Sequence, residues 1–298
     1  MKIVMLGHSG AGKTTYLSLM YAEMQEGIAG FRVQANDDEH HKQLLRDAQQ
    51  ILASRYPPAT RQRASYDLTL SYNGRQVLPF TWRDHRGGAA SGRSTDGADV
   101  AQLTADLKEA DGIVLFIDGA EVSRYHTASR TAARLSSHVL RAMHERAEVL
   151  TPLVIAATKA DLIDLDDDKV TEAIFAPFEE LAKAVADTRH IVGTIIPVSC
   201  GPSPLNVVVP VLWSLRFGVT GMAMRLDAEV DASASAMNSA AARDTLGDRI
   251  VSWWRDEPSW ASIAEGHRQA GLRSLQQLQE LIPPAEGLEA LLEDVPYF

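Results

Sequence analysis

The sequence predicts an α/β protein, with a mostly parallel sheet carrying one antiparallel edge hairpin and with a C-terminal α-helical extension. Three observations carry that prediction. A short apolar strand, Ile3, Val4, Met5 and Leu6, runs straight into the octet GHSGAGKT, Gly7 to Thr14, and a helical pattern follows from Tyr16 to Glu26. Gly112 to Asp118 (GIVLFID) and Leu153 to Thr158 (LVIAAT) are unbroken apolar runs of strand length, as strands covered on both faces of a parallel sheet require. Beyond Arg225 strand patterns stop, while alanine, serine and glutamine rise. The expected division is therefore 1–225 for the sheet domain and 226–298 for the helical extension.

Between these landmarks the elements follow in order. Phe31 to Ala35 reads as a strand, and Asn36 or Asp37 caps an acidic-headed helix reaching about Arg55. Tyr56-Pro57-Pro58-Ala59-Thr60 breaks that helix. Tyr66 to Tyr72 alternates, Asn73-Gly74 is a hairpin turn, and Gln76 to Arg83 returns antiparallel. Helical stretches are expected at about Val122 to Glu148 and Val170 to Asp187, and Ile191 to Val198 is the last strand. In the tail, helical spacing links Leu246, Ile250 and Trp253, then Leu272, Leu275, Leu278 and Leu281. Ala232 to Ala242 approaches low complexity and is the expected linker.

Composition narrows the function classes. The chain has 298 residues, 45% hydrophobic and 23% charged, which is the make-up of a soluble globular protein. A net charge of −10 argues against nucleic acid as the main partner. A single cysteine, Cys200, rules out an internal disulfide framework and fits a reducing, cytoplasmic compartment. Lys2 is followed by only four apolar residues before the glycine-rich loop, so no secretory signal is read. Leu205 to Met224 comes nearest to a membrane span, but it carries Arg216, which costs about 2.5 to 3.5 kcal/mol at a bilayer centre, so no span is expected.

The octet sets the chemistry. A loop of form GxxxxGK[ST] turns successive backbone N–H groups toward a β-phosphate, brings up a lysine ammonium and leaves a hydroxyl for Mg²⁺. His8, Ser9, Gly10, Ala11, Gly12, Lys13, Thr14 and Thr15 are thus the expected phosphate cradle, with Lys13 as the cation and Thr14 on the metal. Base choice comes from Thr158-Lys159-Ala160-Asp161, a TKxD at the carboxyl end of a strand, where open α/β sheets bind ligands. The Asp161 carboxylate can accept two hydrogen bonds from guanine N1–H and its 2-amino group, donors that adenine lacks there, and the Lys159 stem can lie over the base plane. Lys108-Glu109-Ala110-Asp111 also fits KxxD but precedes a strand and is discarded. Ser199, Cys200 and Gly201 follow the strand IIPV, where a small residue can point its N–H at guanine O6.

A further pattern, Asp84-His85-Arg86-Gly87, is a DxxG at the end of LPFTWR; a second copy at Asp244 to Gly247 lies in the tail and is set aside. Asp84 can hold Mg²⁺ through water, and the Gly87 N–H can sense a γ-phosphate. Thr60 is the expected threonine that closes over Mg²⁺, with Ser54, Ser65 and Thr69 as nearby alternatives.

With these motifs in order, residues 1 to 200 resemble the Ras-like, translation-factor-related class of P-loop GTPases. The LGHSGAGKTTYL loop, the strand and helix before Thr60, and FTWRDHRGG are similar to the bacterial double-GTPase group. The resemblance implies a Ras-like fold, GTP/GDP and Mg²⁺ as ligands, GTP hydrolysis and nucleotide-dependent switching. It also implies Lys13 on the β/γ-phosphates, Thr14 and Thr60 on Mg²⁺, Asp84 as outer-shell partner, Asp161 on guanine and Ser199 to Gly201 around the base. A protein effector or activating partner is expected, and a homodimer is left open.

One position departs from that pattern. Ras-like switches follow DxxG with a glutamine that orients the attacking water, and here Gly88 stands there. His85 or Arg86, with Arg83 and Arg93 flanking, could supply charge or position water in cis; the alternative is that these arginines pair with acidic neighbours or face solvent. Intrinsic turnover is therefore expected to be slow, and two rivals follow: a non-hydrolysing pseudo-GTPase scaffold and a P-loop ATPase. Other clusters carry less. Adjacent His40 and His41 point about 100° apart on a helix and cannot share a metal from one face. Asp164 to Asp168 reads as the acidic head of a helix.

Overall fold

The computed structural model describes residues 1–56, 64–84, 97–144, 150–188, 190–243 and 260–298. β1 (Lys2–Gly7) lies inside a seven-stranded sheet with β2 (Phe31–Ala35), β3 (Ala64–Tyr72), β4 (Arg75–Asp84), β5 (Gly112–Asp118), β6 (Thr151–Thr158) and β7 (Ile191–Val198), in the order β2-β3-β4-β1-β5-β6-β7. From β4 through β7 every neighbouring pair is parallel, and β3 alone runs against the rest, paired to both β2 and β4. The β3–β4 turn falls at Asn73-Gly74, with φ of +48° and +81°, the doubly left-handed geometry of a type I′ hairpin. Every residue of β5 and β6 is buried, as their continuous apolar runs demand.

Strand alternation divides the core. Val4, Leu6, Ile113, Leu115 and Ile155 point to one face, where α3 (Gly97–Lys108), α5 (His126–His144) and α7 (Glu179–Ala186) cover them through residues such as Leu103, Leu135 and Leu181. On the other face α1 (Lys13–Glu26) brings Tyr16 against Trp82 and Phe116, with ring centroids 6.0 and 4.9 Å apart. Fully buried side chains of this size contribute about 1.5 to 3 kcal/mol each. α2 (Asp38–Leu52) begins at Asp37, whose carboxylate accepts the His40 N–H at 2.8 Å. The two adjacent histidines take separate partners: His41 meets the Tyr21 hydroxyl at 2.6 Å, and His40 lies against the Tyr66 ring.

Two expected helices are divided. The stretch from Val122 becomes α4 (Gly119–Arg124) and α5, separated at Tyr125, whose backbone is extended. The stretch from Val170 becomes α6 (Asp168–Phe175) and α7 with a 3₁₀ turn at Ala176–Phe178, where Pro177 has no N–H to continue the ladder. Asp167 caps α6 through the Lys169 N–H, in keeping with an acidic helix head.

The chain divides into two compact units, Met1–Gly218 together with Leu288–Phe298, and Val219–Gly287. In the first, the final residues line the outer edge of β7. Gly193 and Phe298 exchange backbone hydrogen bonds at 3.0 and 2.8 Å, and the Thr194 hydroxyl donates to the Pro296 carbonyl at 2.6 Å. The Phe298 ring occupies the space that a side chain at position 193 would need, 2.3 Å from where a Cβ would sit. Leu288 and Leu292 are buried nearby in sequence, and Arg216 pairs with Glu289.

The second unit is made from parts of α8 (Val209–Arg243) and α9 (Trp260–Leu291). The Ser274 hydroxyl donates to the Glu229 carboxylate at 3.0 Å, and Gly271 lies against Ser233. One expectation is corrected here. Ala232 to Ala242 is part of α8, not a linker, because alanine is the strongest helix former. The helical spacing of Leu272, Leu275, Leu278 and Leu281 falls within α9, where Leu272 and Leu275 are 51% and 38% exposed and Ser274 and Leu281 are buried. Leu246, Ile250 and Trp253 lie outside the described residues. Among the described residues, no helix is long and apolar enough to cross a membrane.

Candidate functional site

Parallel pairing from β4 through β7 brings the carboxyl ends of five strands to one edge of the sheet. That edge carries the Gly7–Thr15 loop after β1, Asp84 ending β4, Asp118 ending β5, Thr158–Asp161 after β6 and Ser199–Gly201 after β7. Gly7 is required there: its φ is +156°, and a Cβ would lie 2.7 Å from the Phe116 carbonyl oxygen. This close approach seats the loop directly on β5.

At the loop end, α1 begins after Gly12 with no side-chain cap and no acidic residue in its first turn. Its first turn and the positive end of its dipole therefore face the loop, the arrangement that favours an anion. Lys13 is 9% exposed and donates to the carbonyls of Gly7 at 3.0 Å and His8 at 3.4 Å. Its Nζ lies 3.9 Å from Asp84 Oδ1. Burial lowers the Lys13 pKa and Asp84 only partly restores it. Burial likewise lifts the Asp84 carboxyl to about 6, against the pull of Lys13. Asp84 Oδ1 and His8 Nε2 are buried without a hydrogen-bond partner among the described residues, while His8 Nδ1 meets the Ser9 carbonyl at 2.8 Å. A buried polar atom without a hydrogen bond is costly.

The other end is already bonded. Thr158 Oγ1 lies 3.0 Å from the Ala11 carbonyl and 2.9 Å from the Ile117 carbonyl, sharing its proton between the phosphate loop and β5. The Ser199 hydroxyl donates to Asp161 Oδ1 at 2.9 Å and so fixes the carboxylate. Reciprocal backbone bonds between Ser199 and Leu205, both 3.1 Å, close the loop that holds Cys200 and Gly201. Burial, with the Asp161 and Glu23 carboxylates, pushes the Cys200 thiol up to about 12, so it stays protonated. The Tyr56 hydroxyl reaches to within 3.4 Å of where a Cβ on Gly201 would be.

The structure thus brings Lys13, Thr14, Asp84, Thr158, Lys159, Asp161 and Ser199–Gly201 to one edge. Thr60, His85, Arg86, Gly87, Gly88 and Arg93 lie outside the described residues. Of the alternatives to Thr60, Thr69 donates its hydroxyl to Asn36 at 2.9 Å and Ser65 stands in β3 opposite Arg83. Arg83 is placed on an acidic neighbour: its guanidinium donates to Asp106 at 2.8 Å. Among the described residues no cluster of His, Cys, Asp and Glu is arranged to hold a metal unaided. Sequence reasoning missed Asp118, the buried carboxylate on which the Lys159 ammonium rests. The signal was present as a lone acid closing an otherwise wholly apolar strand.

No curated protein matches this sequence. Among solved structures, the signal recognition particle receptor SRb-GTP/SRX complex from Chaetomium thermophilum aligns with a TM-score of 0.43 and 14% identity, covering 73% of this chain and 97% of that one. The Ski7 GTPase-like domain of S. cerevisiae, bound to GTP, aligns with a TM-score of 0.41 and 16% identity, covering 67% of this chain and 42% of that one. The profile of the Double-GTPase 2 family matches residues 2–192. The sheet order, the glycine-rich loop seated on β5 and this match converge: the chain belongs to the Double-GTPase 2 family.

Proposed function

We propose that this protein binds GTP and GDP at the carboxyl edge of β1, β5, β6 and β7, hydrolyses GTP slowly with Mg²⁺, and uses the exchange as a switch. The observation that carries the reading is the pairing of Ser199 with Asp161 beside the Thr158–Ala11 bond, which joins a base-reading carboxylate to the phosphate loop. In this reading Asp161 accepts the two guanine N–H donors, Cys200 offers its backbone N–H to O6, and the stem of Lys159 lies along the base.

Loop amides from Ser9 to Thr15 take the phosphates, and Lys13 leaves the Gly7 and His8 carbonyls for the β/γ oxygens. Thr14, Thr60 and Asp84 are the residues that would hold Mg²⁺, and Asp84 Oδ1, which has no hydrogen bond among the described residues, fits a hydrated divalent cation. The ion would neutralise charge on the transferring phosphoryl group. Thr60 and the segment from Asp84 to Gly97 form the switch.

Gly88 leaves the glutamine position empty, so intrinsic turnover is expected at about 10⁻⁴ to 10⁻² s⁻¹, with about 10³ to 10⁵ available from an arginine supplied by a protein partner. The same glycine favours a second reading, a pseudo-GTPase that binds without hydrolysis. Affinities for GTP, GDP and ATP with Mg²⁺, followed by single-turnover phosphate release, test both. GTP preferred with release supports the first reading, GTP preferred without release the second, and ATP preferred overturns both. Unchanged release in His85→Ala and Arg86→Ala would remove those side chains from catalysis.

A further inference from the structure

We propose that Asp118 is a positioning residue for purine recognition, acting through Lys159; this rests on the reading of Thr158–Asp161 as the guanine site. Asp118 ends β5 and is 1% exposed. A carboxylate so buried needs its charge and lone pairs met, and each oxygen has its own partner. Oδ1 accepts the Glu121 N–H at 3.0 Å, capping α4, and Oδ2 holds the Lys159 ammonium. Lys159 itself is anchored at its other end, with a left-handed backbone at φ +59° between Thr158, which is bonded to two carbonyls, and Ala160.

A lysine side chain has four methylene groups and many rotamers, and most exposed lysines sample them freely. Here both ends are tied, and the side chain remains 42% exposed along its length. The consequence is a stem held between the end of β6 and the end of β5. A tethered aliphatic stem offers an apolar ledge on which a purine face can rest, whereas an untethered one would swing its ammonium into water. Asp118 thereby sets the entropy cost of forming the base platform without touching the base.

Asp118→Asn separates this role from helix capping, because asparagine keeps an acceptor for the Glu121 N–H and remains a good N-cap while losing the charge that holds Lys159. Calorimetric titrations of the full chain with GDP, ADP and inorganic pyrophosphate, in wild type, Asp118→Asn, Lys159→Met and the double variant, test it. We expect GDP binding to weaken about tenfold in Asp118→Asn, pyrophosphate binding to be unchanged, and no further loss when the change is added to Lys159→Met. Equal GDP losses in both backgrounds, or a parallel fall in pyrophosphate binding, would overturn the proposal in favour of a purely structural carboxylate.

Should Asp118→Asn not fold, Lys159→Arg and Lys159→Gln decide. Arginine can still rest on Asp118 and should keep GDP affinity within about threefold, while glutamine should lose about tenfold. Equal losses would overturn the proposal. Wild-type protein that shows no preference for GDP over ADP overturns the guanine reading and this proposal together. A clear preference with an additive cycle overturns this proposal alone.

Discussion

The two ends of the site differ in how far their polar groups are already satisfied. At the proposed base end Asp161, Thr158, Lys159 and Ser199 each have a partner within the protein, so these side chains are held by the fold itself. At the phosphate end Lys13 is turned onto its own loop, Asp84 Oδ1 is buried without a hydrogen bond, and α1 begins uncapped. Preorganisation lowers the cost of binding at the first end. At the second, in the proposed reading, a polyphosphate and cation would meet these groups, so nucleotide binding there should raise stability most.

The strongest way to break this contrast is Lys13→Ala. If the ammonium exchanges two loop carbonyls for phosphate oxygens, its removal should weaken GTP binding by about 10² to 10³, since charged hydrogen bonds contribute about 1.5 to 3 kcal/mol each. Titration that shows less than a threefold loss would mean that phosphates bind elsewhere. At the opposite end, Asp161→Asn should move preference from guanosine to xanthosine nucleotides by about a hundredfold, as the carboxylate's two acceptors become one acceptor and one donor. Retained guanine preference in competition assays would detach Asp161 from the base.

Asp84 sharpens the comparison without any ligand. Its folded pKa is raised to about 6 from 3.8, so the protonated form is favoured in the folded state. Its contribution to stability is therefore fully present below about pH 4 and is lost as pH rises through about 6. Asp84→Asn cannot ionise. In the absence of nucleotide it should match wild type near pH 4 and exceed it by about 2 to 3 kcal/mol at pH 7.5 in urea unfolding. A variant less stable than wild type at pH 7.5 would show that the carboxylate is not a strained group. The smallest effect is expected at Arg83, whose partly exposed guanidinium is occupied by Asp106. Arg83→Ala should cost no more than about 1 kcal/mol and leave single-turnover hydrolysis unchanged; a large fall in rate would reassign it as the cis arginine.

Legibility in the sequence divided between strands and motifs on one side and helix breaks on the other. β2, β5 and β7 have the limits that their apolar periodicity indicates, because a one-residue slip against a neighbouring strand would turn every side chain to the opposite face. The phosphate loop and TKAD could be read because their chemistry demands fixed residue types at fixed spacing. Breaks inside helices were harder. Tyr125 interrupts α4 and α5 with no proline or glycine to announce it, and Ala232 to Ala242 looked like a linker although alanine favours helix. Leu272 and Leu275 matched a helical period yet face outward, since a period alone does not say which of two adjacent stripes is covered. Asp118 escaped because its value lies in a partner from another strand, which no local pattern records.

The last residues have a consequence of a different kind. Because Phe298 zips onto Gly193 and Glu289 meets Arg216, residues 288–298 are held within the first unit although 219–287 separate them from the rest of it in sequence. A protease cut between residues 219 and 287 should therefore leave the 288–298 strap bonded to β7. The same strap screens part of the open N–H and C=O row of β7, a margin of the sheet that would otherwise invite a foreign strand.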